Sequence, residues 1–233
     1  MRFLLLSLAC LTTSAWADPT GGMKVVWSDN FDGPAVDEAK WTIHNRNPGS
    51  VSIKDGKLYL AMLPGKESTY WQSTGISTVN KFTQAQGYFE ASMRMLQTPG
   101  RSGRFEVRNK SLDEPPSARI FFDNWGDDNI APGTQVADNT GIRMLRPVKH
   151  GINLDGGASY RKFHTYGIHW TAKYFAWYVD GKQVHRQDIK VTPTTPMYLE
   201  FDHHPPEGGI IKSFPDPNNP PEALQIDWVK VYK

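Results

Sequence analysis

The chain has 233 residues, of which 17 are prolines and 12% are aromatic, and its formal net charge is +2. This length fits one large all-β domain better than two small ones. A net charge so close to zero gives no electrostatic reason to expect a nucleic-acid partner.

The first 17 residues have the pattern of a secretory signal peptide. Arg2 provides the basic start, Phe3–Leu11 the apolar stretch, and Ala15–Ala17 an A-x-A cleavage site. The apolar stretch is too short to span a bilayer. We therefore expect export to the periplasm or beyond, without membrane insertion; a buried N-terminal strand is the alternative. The only cysteine, Cys10, lies in this segment, so the mature chain from Asp18 depends on its core rather than on a disulfide.

Short alternating strands separated by turn residues follow along the rest of the chain. A hairpin is predicted around Asp55-Gly56, a strand over 87–95, and three strands over 163–187 with a second turn at Asp180-Gly181. Late strands are predicted over 197–204 and 223–232. No segment keeps a helical period for three turns. This spacing predicts an all-β fold, a two-sheet β-sandwich or jelly roll.

Four stretches resemble glycoside hydrolase family 16, the group of laminarinases, agarases and carrageenases. They are VVWSDNFDGPAVDEAKW (25–41), TGISTVNKFTQAQGYFEASMRM (74–95), FHTYGIHWTAKYFAWYVDGKQV (163–184) and ALQIDWVKVYK (223–233). The resemblance implies one concanavalin A-like jelly-roll domain of the lectin and glucanase type over residues 18–233. It also implies a long cleft on one sheet, in which a polysaccharide lies.

The signature of that family is a strand of the form E-x-D-x-x-E or E-x-D-x-E. Its outer carboxylates are the nucleophile and the acid/base of a retaining glycosidase, about 5–5.5 Å apart. The matching stretch here is SARIFFDNWGDDN (117–129). In the longer form, Ala118 takes the nucleophile position, Ile120 that of the middle aspartate and Asp123 that of the acid/base. Two of the three carboxylates are therefore missing, and the usual double displacement is unavailable.

Arginine is concentrated in the same region, where seven of the eleven arginines fall between residues 94 and 146. In RFEVR (104–108), Arg104, Glu106 and Arg108 alternate with apolar residues, so the three charges share one face of a strand. RFEVR also resembles the R-x-E-[LV]-R strand of alginate lyases of polysaccharide lyase family 7. We expect the two arginines to bind acidic groups of a substrate while Glu106 orients them. A solvated row of ion pairs is the alternative.

A second polar row is predicted in MYLEFDHH (197–204). Tyr198, Glu200 and Asp202 share one face by strand alternation, and we expect that face to line the cleft. Tyr198 and His203 are candidate catalytic groups, and His204 is expected at the rim. Because two prolines follow, the histidines could equally belong to a turn.

Three further residues complete the predicted site. Arg119 would neutralise an acidic group during catalysis, Asp123 would take part in the proton transfer unless it is a structural remnant, and Trp125 would stack on a sugar ring. Tyr88 is another candidate base. Many family members carry a structural calcium, and Asn30 and Asp227 fall near its position. Since Asn30 stands where an acidic ligand is usual, we predict no required cofactor or metal.

These observations predict an exported, monomeric enzyme that depolymerises an acidic polysaccharide. β-Elimination is favoured over hydrolysis, because it needs cations around a uronate carboxylate and a Tyr or His base but no carboxylate nucleophile. One alternative is a family 16 glycoside hydrolase with a rearranged site, in which Asp123 acts with Glu106 or Glu200. The other is a non-catalytic module that binds polysaccharide.

Overall fold

A computed structural model describes ten stretches of the chain. They are residues 18–64, 71–97, 101–109, 117–124, 129–138, 141–145, 152–153, 159–189, 193–204 and 222–233. Within them the chain forms 18 β-strands and no helix. Accordingly, no helix in these stretches is long and apolar enough to cross a membrane. The predicted signal peptide and Trp125 lie outside the described residues.

Sheet A is an eight-stranded antiparallel sheet in the order β16-β15-β14-β8-β18-β4-β3, with β1 also paired to β18. Its strands are β1 (Val25–Asp29), β3 (Val51–Lys54), β4 (Lys57–Ala61), β8 (Gly87–Arg94), β14 (His164–Trp170), β15 (Tyr174–Val179), β16 (Lys182–Asp188) and β18 (Ala223–Tyr232).

Sheet B is also eight-stranded and antiparallel, in the order β12-β11-β10-β9-β17-β7-β2, with β13 also paired to β11. Its strands are β2 (Thr42–His44), β7 (Thr74–Ser77), β9 (Ser102–Arg108), β10 (Ser117–Asn124), β11 (Asn129–Asp138), β12 (Gly141–Leu145), β13 (Ile152–Asn153) and β17 (Tyr198–His204). A separate pair contains β5 (Leu63–Pro64) and β6 (Trp71–Gln72).

Both predicted hairpin turns are present. Asp55 and Gly56 join β3 to β4 with φ angles of 50° and 66°, and Asp180 and Gly181 join β15 to β16 with 49° and 76°. Two consecutive residues with positive φ are the signature of the type I′ turn, whose twist matches that of antiparallel strands. Aspartate and glycine tolerate this conformation best, which explains their place in the sequence.

The two sheets pack face to face around one apolar core, as predicted for a β-sandwich. The rings of Phe122 on sheet B and Tyr166 on sheet A lie 5.3 Å apart, and Trp177 Nε1 donates a hydrogen bond to the Phe121 carbonyl oxygen at 3.0 Å. On β9, Phe105 and Val107 are fully buried in this core. Because strand residues alternate between faces, the residues between them must point away from sheet A.

Candidate active site on the outward face of sheet B

The outward sides of three neighbouring strands, β10, β9 and β17, carry ionisable side chains. Strand pairing places Arg104 directly between Asp123 and Asp202, and Glu106 directly opposite Glu200. The alternation predicted for RFEVR and for the second polar row is therefore present. We call this surface the charged face. Its members are Arg104, Glu106, Arg108, Arg119, Asp123, Tyr198, Glu200 and Asp202.

At one end of the charged face, a single arginine contacts two aspartates. Arg104 Nε donates to Asp123 Oδ1 at 2.8 Å, and Arg104 Nη1 lies 3.8 Å from Asp202 Oδ2. Although burial opposes it, the carboxylates of Asp202, Asp123 and Glu106 raise the pKa of Arg104. This arginine is therefore a fixed cation between two carboxyl groups.

At the other end, two arginines share one glutamate. Arg108 Nη1 lies 3.1 Å from Glu106 Oε1, and Arg119 Nη1 lies 3.5 Å from Glu106 Oε2. The Glu106 side chain is fully buried. The predicted contact between Glu106 and the neighbouring guanidinium groups is thus present. Complete burial keeps Glu106 from touching a ligand in this arrangement, so we interpret it as a positioning residue.

The two carboxyl groups of β17, Glu200 and Asp202, are partly accessible, and each is partly protonated at neutral pH. Burial, together with the nearby carboxylates of Glu106 and Asp202, raises the pKa of Glu200 to about 7. Burial also raises the pKa of Asp202 to about 7, even though Arg104 opposes this change. The exposed fractions of the two side chains are 15% and 22%. A carboxyl group of this kind can donate a proton at neutral pH.

The tyrosine of the charged face also has a raised pKa, but it is far above neutral pH. Burial raises the pKa of Tyr198 to about 12, although its hydrogen-bond partner Arg108 lowers it. A phenol with such a pKa remains protonated at neutral pH, so it is a poor base before the substrate arrives.

The register assigned to the catalytic strand is wrong. Ala118 and Ile120 are buried in the core, whereas Asp123 lies on the charged face. Strand β10 pairs with both neighbours without a register shift, so no bulge brings positions 120 and 123 to one side. The outward positions before Asp123 are Arg119 and Phe121. Neither is a carboxylate, so the shorter form of the signature is also incomplete.

Two candidate bases do not reach the charged face. His203 is fully buried on the core side of β17, the same side as Leu199 and Phe201, whereas its neighbour Asp202 faces outward. Tyr88 lies on β8 of the other sheet, where its hydroxyl donates to Glu90 Oε1 at 3.2 Å. His204 ends β17, but its side chain lies outside the described part of the structure, so its rim position stays a prediction.

Three residues next to the charged face escaped the sequence analysis. Gln135 on β11 accepts a hydrogen bond from Arg119 Nε through its Oε1 atom. His44 Nε2 and Ser77 Oγ, on β2 and β7, are hydrogen-bonded at 2.7 Å, and Ser77 lies directly opposite Glu200. Alternation within each strand could have assigned them a face, but only strand pairing brings them beside the glutamate.

One of the two residues near the family's calcium position, Asp227, contacts a cation of the chain itself. Asp227 Oδ1 lies 3.6 Å from the ammonium group of Lys57. The described residues contain no group of three or more His, Cys, Asp or Glu side chains able to hold a metal. Calcium is coordinated by six to eight oxygen ligands. The ammonium group of Lys57 would repel a cation bound at Asp227, which weighs against Asp227 as a calcium ligand.

A two-sheet antiparallel sandwich of this kind is a jelly-roll architecture, which lectin domains share with proteins of many other functions. The chain belongs to the glycosyl hydrolases family 16, because the model of that family matches residues 37–230. The family resemblance found in the sequence is thereby confirmed, while the likeness of RFEVR to alginate lyases stays a resemblance.

Individual relatives are similar to this chain at moderate identity. Endo-1,3-1,4-beta-glycanase ExsH of Rhizobium meliloti is 26% identical over 188 residues, which are 78% of this chain and 39% of that protein. Beta-porphyranase B of Zobellia galactanivorans is 26% identical over an alignment of 253 residues, covering 88% and 82% of the two chains. The chain spans less than half the length of the first curated relatives it matches.

Solved structures support the same fold. The laminarinase catalytic domain from Thermotoga maritima MSB8 superposes with a TM-score of 0.72 at 18% identity, covering 91% of this chain and 98% of that one. At this identity the likeness establishes the jelly-roll fold, and the chemistry must be argued from the charged face itself.

Proposed function

We propose that the chain is a glycoside hydrolase that cleaves a polysaccharide lying across the charged face. The observation that carries this proposal is the arrangement of Asp123 and Asp202 on either side of Arg104. Family membership supports it, because the relatives are glycanases and glucanases. The hydrolase that the sequence analysis kept as an alternative is therefore better supported than the lyase that it favoured.

The two aspartates suit the two tasks of hydrolysis. Asp202, whose pKa is raised to about 7, would donate a proton to the departing glycosidic oxygen. Asp123, ion-paired with Arg104, would act as the carboxylate that takes a proton from the attacking water. The water hydroxyl then bonds to the anomeric carbon as the glycosidic bond breaks.

Direct attack by water in a single displacement inverts the configuration at the anomeric carbon. Asp123 and Asp202 lie on β10 and β17, with β9 between them, so their backbones are roughly 9.6 Å apart. The guanidinium group of Arg104 lies between their side chains, so water and substrate would reach the two carboxyl groups from the open side of the charged face.

β-Elimination has weaker support. Arg104 and Arg108 each contact two carboxyl groups of the chain, which weakens the case that they hold a uronate during catalysis. The candidate base Tyr198 has a raised pKa, and the relatives are hydrolases. Action on an acidic polysaccharide, export and a monomeric state stay predictions.

A non-catalytic polysaccharide-binding role is the second candidate. It is favoured by the two outward positions before Asp123, where Arg119 and Phe121 stand in place of the family's carboxylates. In that case the charged face would bind a chain without cleaving it.

One experiment separates these readings. The purified protein is incubated with laminarin, mixed-linkage glucan, porphyran and alginate, and the reducing ends, the ultraviolet absorbance of unsaturated uronates and the anomeric configuration of the first product are followed. Reducing ends without absorbance, with inverted product, are expected. Absorbance would mean a lyase, and retention on a polysaccharide gel without products would mean a binding module.

Two variants link this activity to the proposed residues. Asp202→Asn and Asp123→Asn should each lower the rate by about a hundredfold or more, the usual contribution of an acid or base. The exposed Asp188→Asn, on sheet A, is the matched control and should retain activity. Full activity of either active-site variant would contradict the assignment.

A further inference from the structure

The charged face has an uneven distribution of charge. Around Arg104 one cation meets two aspartates, as described above. Around Glu106 two cations, Arg108 and Arg119, share one buried carboxylate, and these two arginines lie directly opposite each other on adjacent strands. Like charges in this relation repel each other. A second glutamate, Glu200, contacts Arg108 at 3.7 Å, so within the described residues Arg119 has only the shared carboxylate of Glu106 as its ion-pair partner.

Of these two arginines, Arg119 has the weaker contacts with carboxylates to balance its positive charge. Its Nη1 atom is 3.5 Å from Glu106, while Nε donates to the uncharged amide of Gln135. Within the described residues no acceptor contacts its Nη2 atom. Arg108, by contrast, lies 3.1 Å from Glu106 and 3.7 Å from Glu200.

The pKa values of the two arginines agree with this difference in their contacts. Burial lowers the pKa of Arg119, and repulsion by Arg104 and Arg108 adds to this effect, so the attraction of Glu106 and Asp123 does not offset it. Although burial also acts on Arg108, the nearby carboxylates of Glu106 and Glu200 raise its pKa. The chain alone therefore does not fully compensate the Arg119 cation.

Arg119 is nevertheless held in a fixed orientation. Its Cζ atom lies 5.3 Å from the centroid of the Phe121 ring, and that ring packs against Gly133. The side chain is 17% exposed. A guanidinium group held by an aromatic ring and an amide, with part of its edge open, presents its remaining donors to an anion in a defined geometry.

We propose that Arg119 binds an anionic substituent, a carboxylate or sulfate group, of the polysaccharide that lies on the charged face. This assignment rests on the proposed hydrolase, and it names the class of substrate: a polysaccharide with one acidic group within reach of the charged face. The acidic group supplies a negative charge beside Arg119, which otherwise shares the carboxylate of Glu106 with Arg108.

The test uses a neutral chain and its acidic derivatives on one backbone. Binding and cleavage of laminarin, of laminarin oxidised to the carboxylate at C6 and of sulfated laminarin are measured for the whole protein. We expect an acidic derivative to bind more tightly, with a preference that weakens as salt is added. The better derivative distinguishes a carboxylate from a sulfate ligand.

Substitutions of Arg119 test whether this residue causes the preference for the acidic polysaccharide. Arg119→Gln should lower affinity for the preferred acidic chain roughly ten- to hundredfold, the scale of a hydrogen bond to a charged group, while affinity for neutral laminarin changes little. Arg119→Lys should retain part of the preference. Arg186→Gln removes an equal charge from the exposed edge of sheet A and should leave the preference unchanged.

The outcomes separate this inference from the proposed function. Equal affinity for neutral and acidic chains, or an equal loss for both in Arg119→Gln, would overturn the role of Arg119 while cleavage of laminarin still supports the hydrolase. Selective binding of the acidic chain without cleavage would retain the role of Arg119 and overturn the hydrolase. Should the glutamine variant not fold, the lysine variant and the salt dependence of the unmodified protein decide.

Discussion

Glu106 and Glu200 lie directly opposite each other on adjacent antiparallel strands, and one nitrogen of Arg108 lies within ion-pair distance of both. Their surroundings nevertheless give them different properties. Glu106 is fully buried and shared by two arginines, whereas Glu200 is partly exposed and has a raised pKa. A pair of identical residues thus divides into one that orients its neighbours and one that can exchange a proton.

Replacing Glu106 tests its orienting role. Glu106→Gln leaves Arg108 and Arg119 facing each other without the carboxylate between them. Breaking a buried ion pair on one side typically costs about 3–5 kcal/mol. We expect a loss of that size in the free energy of unfolding, measured by urea denaturation.

The control for this variant is Glu38→Gln. Glu38 forms an exposed ion pair with Arg46, and such pairs contribute about 0–1 kcal/mol. If both variants lose the same small amount, Glu106 does not hold the two arginines in place.

The raised pKa values of Glu200 and Asp202 predict a dependence of stability on pH. In the unfolded chain these groups titrate near pH 4, and in the folded chain near pH 7. Between these values the folded state retains protons that the unfolded state has released. Their contribution to the free energy of unfolding therefore falls as pH rises from about 4 to about 7, and it is constant above that range.

The double variant Glu200→Gln, Asp202→Asn removes this contribution. Its free energy of unfolding should decline less steeply between about pH 4 and pH 7 than that of the unmodified protein. Both proteins are measured at several pH values. Each pKa unit corresponds to about 1.4 kcal/mol. Parallel curves for the two proteins would show that the groups titrate normally in the folded state.

The fold could be predicted well because its signals are local. Asp55-Gly56 and Asp180-Gly181 specify turns through their own backbone preferences, and the alternation of residues 104–108 specifies two faces through strand geometry. Neither signal depends on knowing the neighbouring strand. The family resemblance then supplied the arrangement of the sheets.

The site was predicted less well because its signals are not local. In β10 the run of Ile120, Phe121 and Phe122 is apolar on both faces, so alternation does not reveal which residues face outward. Phe121 can face outward because it packs on Gly133 and Arg119, contacts that exist only after β10 and β11 pair. His203 was misassigned for a related reason, since a polar side chain on the core side is not expected from its type.

The contact between Phe121 and Gly133 can be tested by adding one methyl group. In Gly133→Ala the new Cβ atom would lie 2.7 Å from Phe121 Cζ, closer than carbon atoms approach without a shift. The Phe121 ring is almost fully buried and has little room to move. We expect a loss of about 1–3 kcal/mol, typical of overpacking, in urea denaturation.

A second substitution shows whether the ring causes that loss. Phe121→Leu removes the ring edge, so the double variant with Gly133→Ala should lose less than the sum of the two single losses. Additive losses would mean that the alanine acts on the backbone instead.

Replacing Arg104 tests whether Asp202 is the proton donor of the proposed reaction. This arginine opposes the rise in the pKa of Asp202, so its removal in Arg104→Gln should raise that pKa further. If Asp202 acts in its protonated form, the alkaline limb of the pH–rate profile should shift to higher pH, together with a lower maximal rate because Asp123 loses its ion pair. Arg104→Lys keeps the charge and should keep the limb close to its original position. A glutamine variant whose rate falls equally at every pH, with no shift of the limb, would mean that Arg104 orients the two aspartates without influencing the proton on Asp202.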